Sequence, residues 1–224
     1  MKRITILAVI LLIHISRCAA SRSEAGFEAG FGNNVFFGRY YSAALVVRHC
    51  LPKYFSIDAG VQGVSLPKWT ADVRPAVFHD FSFGRGIVQA IFSYARQSGT
   101  GNMCAGAAAS LRMLRWWITL GYYHRTITAI GYGQKITEPL NMLYEIGVSF
   151  MPRIPKWDLL LSISNGRMFE IERIYQPTLA AEAVWHPNPK IALKLGAGYK
   201  PAGMFNLSHN YYQSFMNLGI SYKW

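Results

Sequence analysis

The chain has 224 residues, 51% of them hydrophobic and 14% aromatic, with only 15% charged and a formal net charge of +12. That length suits one domain of ordinary size. The basic excess favours anionic partners such as lipid head groups or lipopolysaccharide, and in an exported chain it does not mean nucleic acid.

Met1-Lys2-Arg3 opens the sequence with positive charge, Ile4 to Ile15 is apolar apart from Thr5 and His14, and Cys18-Ala19-Ala20 places small residues before a cut after Ala20. The apolar run is too short to span a bilayer, so residues 1–20 are expected to be a cleaved secretory signal and residues 21–224 the mature chain. Acylation of Cys18 after a lipoprotein-type cut is the competing idea, against which Arg17 stands where a small residue is wanted. Loss of Lys2, Arg3 and Arg17 leaves 23 − 3 = 20 basic against 11 acidic groups, a balance of +9. Cys50 and Cys104 then remain, predicted toward opposite ends of the molecule and therefore as free thiols.

Past the signal no stretch reads as a transmembrane helix; the apolar residues alternate instead. The first two strands are expected over 25–33 and 40–50. Phe55, Ile57, Ala59 and Val61 interleave with Ser56, Asp58, Gly60 and Gln62 in the third. Weaker segments at 75–84, 87–97 and 104–113 follow. Trp116, Ile118, Leu120 and Tyr122 alternate with Trp117, Thr119, Gly121 and Tyr123, and Tyr144, Ile146, Val148 and Phe150 with Glu145, Gly147 and Ser149. After 157–165 and 175–186, Ile191 to Lys200 and Phe215 to Trp224 repeat the pattern. Period two repeated in long segments means strands with one greasy face and one polar or small-residue face.

Connections are expected to alternate in length. Short ones fall near Leu51-Pro52-Lys53, Arg85-Gly86, Leu114-Arg115, Pro152 to Lys156 and Pro187-Asn188-Pro189, and longer ones near 33–39, 66–74, 98–103, 126–141, 166–174 and 201–213. A turn centred on Asn188 would set Leu195 opposite Ala181 on the apolar face and Glu182 opposite Lys194 on the polar one. A soluble sandwich or lipocalin-like barrel also alternates, but its polar face would be solvated and rich in charge. Here that face is largely Gly, Ala and Ser, which suits a lumen better. The predicted fold is all-β: a closed up-and-down antiparallel transmembrane β-barrel of about twelve strands, with ten to fourteen as the range.

With Tyr40, Tyr41, Trp116, Trp117, Trp157, Trp185, Tyr199 and Tyr222 near strand ends and "MNLGISYKW" as the final strand, the chain resembles bacterial outer-membrane β-barrel proteins of the porin-like superfamily. The resemblance is architectural and carries no family-specific motif. It implies a place in the bacterial outer membrane, with short periplasmic turns and longer outer loops. It also implies that the barrel-assembly machinery reads the last strand, through Tyr222 and Trp224, although the class mostly ends in Phe. Independently, a sheet in hydrocarbon must close, so the last strand must pair with the first.

Inward parity falls on Glu28, Arg48, Asp58, Asp80, Arg112, Arg125, Glu145, Asp158, Glu182, Lys194, Lys200 and Lys223. Such a set either lines a pore for small hydrophilic solutes or neutralises itself into a plug. Basic residues assigned to loops and turns include Arg39, Lys53, Lys68, Arg74, Arg85, Arg96, Lys135, Arg153, Lys156, Arg167, Arg173 and Lys190, and the outer ones could meet lipopolysaccharide phosphates. For lipid hydrolysis the candidates are His209 with Ser208 or Ser214, and His79 with Ser65, none with a third orienting group. His49, His124 and His186 lack metal-ligand spacing, and "GTGNMCAG" and "GYG" lack a following Lys-Ser or Lys-Thr, so no metal, cofactor or catalytic residue is assigned. The expected function is a small porin-like channel, with a barrel anchor or a component of a secretion, assembly or adhesion complex as the alternative.

Overall fold

The computed structural model describes residues 22–35, 38–51, 54–65, 68–97, 99–129, 133–150, 156–171, 176–201 and 213–224. The expected signal, Cys18, Ser208 and His209 lie outside these residues. Alternation becomes strands in chain order: β1 (Arg22–Asn34), β2 (Gly38–Leu51), β3 (Phe55–Val64), β4 (Lys68–Phe81), β5 (Gly84–Gln97), β6 (Thr100–Arg112), β7 (Trp116–Ala129), β8 (Lys135–Phe150) and β9 (Trp157–Ser164). Two short strands follow, β10 (Gly166–Arg167) and β11 (Glu170–Ile171), then β12 (Thr178–Asn188), β13 (Ile191–Lys200) and β14 (Gln213–Lys223). Twelve of them, all but β10 and β11, form one closed antiparallel barrel.

Closure runs through β1 and β14, registered from Glu24 opposite Lys223 to Asn34 opposite Gln213. The seam continues at its end: the Ser23 N–H donates to the Trp224 carbonyl at 3.2 Å, and the Trp224 N–H to the Ser23 carbonyl at 3.0 Å. A closed ladder leaves no unpaired edge, the condition a bilayer imposes on a sheet.

The barrel is inside out relative to a soluble protein. Phe27, Phe31, Val88, Phe92, Leu120, Ile146, Leu195, Leu218 and Ile220 all lie on the exposed side, Leu218 at 63% and Leu195 at 48% exposure. In water such a continuous apolar surface would drive association; in hydrocarbon it is the required exterior. Aromatic rings ring both rims of that surface. Trp157 stacks near Trp185 at 6.1 Å and Tyr222 near Trp224 at 6.2 Å at the end that carries Arg22 and Trp224, and Trp69 meets Tyr94 at 5.3 Å toward the other. Amphipathic rings sit well at head-group level.

Three sequence expectations change. Loop-length alternation is carried mostly by the β9–β12 and β13–β14 connections, because residues expected in loops are strand: β4 begins at Lys68, β7 runs to Ala129 and β8 begins at Lys135. The "KWTADVR" run alternates Trp69, Ala71 and Val73 with Lys68, Thr70, Asp72 and Arg74, a charged face that looks like a loop only if charge must be solvated outside. Second, Leu195 pairs with Ala183 and Lys194 with Val184, two residues from the expected register. The turn lies at Pro189-Lys190, where Asn188 Oδ1 accepts from the Lys190 and Ile191 N–H groups at 2.9 and 3.0 Å, and an irregularity between Trp185 and Asn188 takes back one residue of the displacement, which leaves the offset of two. A shift of two preserves which face each residue takes. Third, the inward side is not uniformly polar: Ile91, Cys104, Ala108, Tyr123 and Leu143 form a buried cluster on the β5–β8 wall.

Candidate functional site

The segment after β9 does not continue along the barrel wall. At Asn165 the chain leaves β8, and this side chain substitutes for the pairing that ends there: the Tyr144 N–H donates to Asn165 Oδ1 at 2.7 Å, and Asn165 Nδ2 donates to the Met142 carbonyl at 2.8 Å. Ser164 Oγ accepts the Gly166 N–H at 3.0 Å. Gly166 lies against the Leu143 side chain, where any added Cβ would collide. The chain then forms the β10–β11 hairpin, with Gly166 opposite Ile171 and Arg167 opposite Glu170. Met168 and Phe169 make its turn, Phe169 with a left-handed φ of 68°.

The hairpin is held at its tip by β4. Arg74 Nε donates to Asp72 Oδ1 at 2.8 Å and Nη2 to Asp72 Oδ2 at 3.2 Å. The same guanidinium donates from Nη1 to the Gly166 carbonyl at 3.2 Å and from Nη2 to the Arg167 carbonyl at 3.0 Å. Asp72 Oδ2 also receives the Phe169 N–H at 3.4 Å. The Asp72 side chain has no exposed surface and that of Arg74 is 11% exposed, so the pair is dry and hydrogen-bonded on several sides. Only a planar guanidinium offers donors for a carboxylate and two carbonyls at once. Gly60 on β3 completes the seat, since an added Cβ would meet the Phe169 ring and lie 2.9 Å from the Leu45 carbonyl.

On the other wall Arg167 forms an ion pair with Glu182 of β12, and its guanidinium lies 6.0 Å from the Phe215 ring centroid on β14. In the order of strands round the barrel, β12 and β4 stand six places apart out of twelve, which is diametrically opposed. The hairpin therefore bridges the lumen, tied to both sides by arginine.

The remaining inward charges take these partners. Arg48 donates to both Asp58 oxygens at 2.8 Å, Arg85 to both Asp80 oxygens at 2.5 and 3.0 Å, and Lys194 lies 3.9 Å from Glu28. Arg125 stands 3.8 Å from Glu138, Asp158 lies 3.3 Å from His186, and Lys223 is 4.0 Å from Glu24. Lys200 is buried, and Arg112 and Glu145 face inward opposite Trp117 and Thr119. The expected Glu182–Lys194 pair does not form, because the two-residue register offset separates them and Arg167 reaches Glu182 first. Lys68, Arg74, Arg85 and Arg167 were expected in loops or turns. Lys68 and Arg74 belong to β4, Arg85 to β5 and Arg167 to the lumenal hairpin.

The residues that organise the site, Asp72 and Arg74, escaped sequence reasoning. Their signal is opposite charge at i and i+2, the spacing that puts both on one face of a strand. Of the hydrolase candidates, His79 packs between Tyr54 and Phe81, ring centroids 6.4 and 4.7 Å away, while Ser65 follows the far end of β3. Ser23 Oγ and His49 Nδ1 are hydrogen-bonded at 2.7 Å beside the seam, both buried. Among the described residues no group of three His, Cys, Asp or Glu could hold a metal, and Cys50 and Cys104 are free.

No protein-family model matches the chain, and no curated protein matches it in sequence. Solved structures match its shape. The NanC porin superposes with a TM-score of 0.59 at 12% identity, covering 89% of this chain and 100% of that one. The KdgM porin gives 0.58 at 11% identity, over 90% and 99%. The translocator domain of the autotransporter NalP from Neisseria meningitidis gives 0.55 at 12% identity, over 98% and 96%. The chain shares with these outer-membrane proteins the fold of a closed β-barrel. At such identities the likeness is of fold alone. The bridging of this barrel by Arg74 and Arg167 rests on its own residues.

Proposed function

We propose that the protein is a small porin-like channel of the bacterial outer membrane, with the β10–β11 hairpin as its constriction. The observation that carries this reading is the pair of arginine ties that suspend the hairpin between opposite walls. Twelve strands enclose more space than side chains alone fill in an eight-stranded barrel. A loop folded inward and fastened there narrows such a lumen without closing the ladder around it. The charges at Glu28, Arg48, Asp58, Asp80, Arg112, Arg125, Glu145, Asp158, Glu182, Lys194 and Lys200 would then set which small hydrophilic solutes or ions pass. We assign no catalytic step; Ser23, hydrogen-bonded to His49 beside the seam, is a buried residue, 2% exposed. The same reading takes residues 1–20 as the export signal, Tyr222 and Trp224 as the part recognised by the barrel-assembly machinery, and lipopolysaccharide as a contact of the outer basic residues.

The test is Glu182→Ala. It leaves the Arg167 cation in the constriction without its carboxylate, so the reversal potential in a salt gradient should move toward anion preference. An unchanged reversal potential in a conducting barrel would mean that Arg167 and Glu182 stand off the ion path.

A further inference from the structure

Above the hairpin, in the half of the barrel away from Arg22 and Trp224, a cavity of about 240 Å³ opens on the β4–β7 wall. Its lining includes Lys68, Gln97, Asn102, Arg125, Ile127 and Phe169. Phe169 is the hairpin tip, so the constriction is also the wall of this cavity. Among the described residues no carboxylate lines it. Arg125 is engaged by Glu138 at 3.8 Å, which leaves the Lys68 ammonium as the cation that no described acid neutralises.

The cavity holds roughly eight waters at about 30 Å³ each, and it falls below the roughly 300–1,000 Å³ of drug-sized ligand sites. One small molecule fits. Its surroundings select by two features: one positive charge that no described acid compensates, with amide donors from Gln97 and Asn102, and an apolar flank formed by Phe169 and Ile127. A bare inorganic anion satisfies the first and gains nothing from the second. A neutral ring does the reverse, and a dianion lacks a second free cation. We propose that this cavity is a binding site for a small monocarboxylate with an apolar flank, its carboxylate toward Lys68 and its flank on Phe169. Its role as a stopping point before the constriction rests on the channel reading; the binding itself does not.

The probe is benzoate, with benzyl alcohol matching the flank without the charge and inorganic phosphate matching the charge without the flank. Saturation-transfer NMR on refolded residues 21–224 in micelles reads binding, and current block in planar bilayers reads occupancy of a conducting lumen. Benzoate should bind, benzyl alcohol and phosphate should compete poorly, and Lys68→Gln and Phe169→Ala should each weaken benzoate severalfold. Lys135→Gln, which removes an exposed lysine outside the cavity, should leave it unchanged. Benzoate binding equal in wild type, Lys68→Gln and Phe169→Ala, or matched by benzyl alcohol, overturns the site. A barrel that conducts but does not bind benzoate loses the site alone. One that binds it through Lys68 yet carries no current keeps the site and loses the channel.

Discussion

Replacing Asp72 and Arg74 together by alanine should raise single-channel conductance severalfold and make the current noisier. The hairpin then loses both carbonyl contacts at Gly166 and Arg167 and the carboxylate that receives the Phe169 N–H. Arg167 still holds Glu182, so the hairpin stays attached to β12 and swings rather than disappears. Removing both partners matters. Arg74→Ala alone would leave Asp72, which has no exposed surface, as a buried unpaired charge, a situation that costs about 3–5 kcal/mol. That variant would confound hairpin release with loss of the barrel. The double variant removes the charge with its partner, and the wall of β3 to β5 keeps its backbone ladder. A folded double variant with wild-type conductance would mean that the hairpin does not limit the path.

Leu195→Arg should cost about 2–4 kcal/mol of folding free energy in a bilayer, the range for arginine at the midplane on the lipid face of such barrels. Leu195 sits mid-strand on β13, opposite Leu218 of β14 on the same exposed face. Asn217→Arg, one residue away and facing the lumen, enters a polar site where Asn217 Nδ2 already lies 3.4 Å from Glu28 Oε2, and should cost far less. Denaturant titration in vesicles, followed by the gel shift of the folded barrel, compares the two. Equal losses, or a greater loss for Asn217→Arg, would mean that the leucine face is not in hydrocarbon.

The barrel was legible because its exterior obeys one rule. Alternation in Phe55 to Gln62, Trp116 to Tyr123 and Ile191 to Lys200 fixed strand type and facing without reference to any partner. What escaped has a common cause, which is that the interior obeys no single rule. Lys68, Asp72 and Arg74 resemble a loop when charge is taken as a mark of solvent, although a lumen accepts it. Ile91 and Leu143 resemble lipid-facing residues when bulk is taken as a mark of hydrocarbon, although they pack with Tyr123 on the wall beside the hairpin. Register at Asn188 depended on turn chemistry that spacing cannot resolve. The hairpin itself was hidden in an expected outer loop, 166–174; its local trace is the Met168-Phe169 pair, apolar bulk at a turn that needs a cover. Gly60 supplies that cover 109 residues earlier, across the lumen.

The most direct measurement is planar-bilayer recording of refolded wild-type residues 21–224. A hairpin-constricted channel should give steady unitary currents, small for a twelve-stranded barrel. Persistent silence from folded barrels, in the wild type and after release of the hairpin alike, would contradict the channel and leave the barrel as an anchor or assembly component.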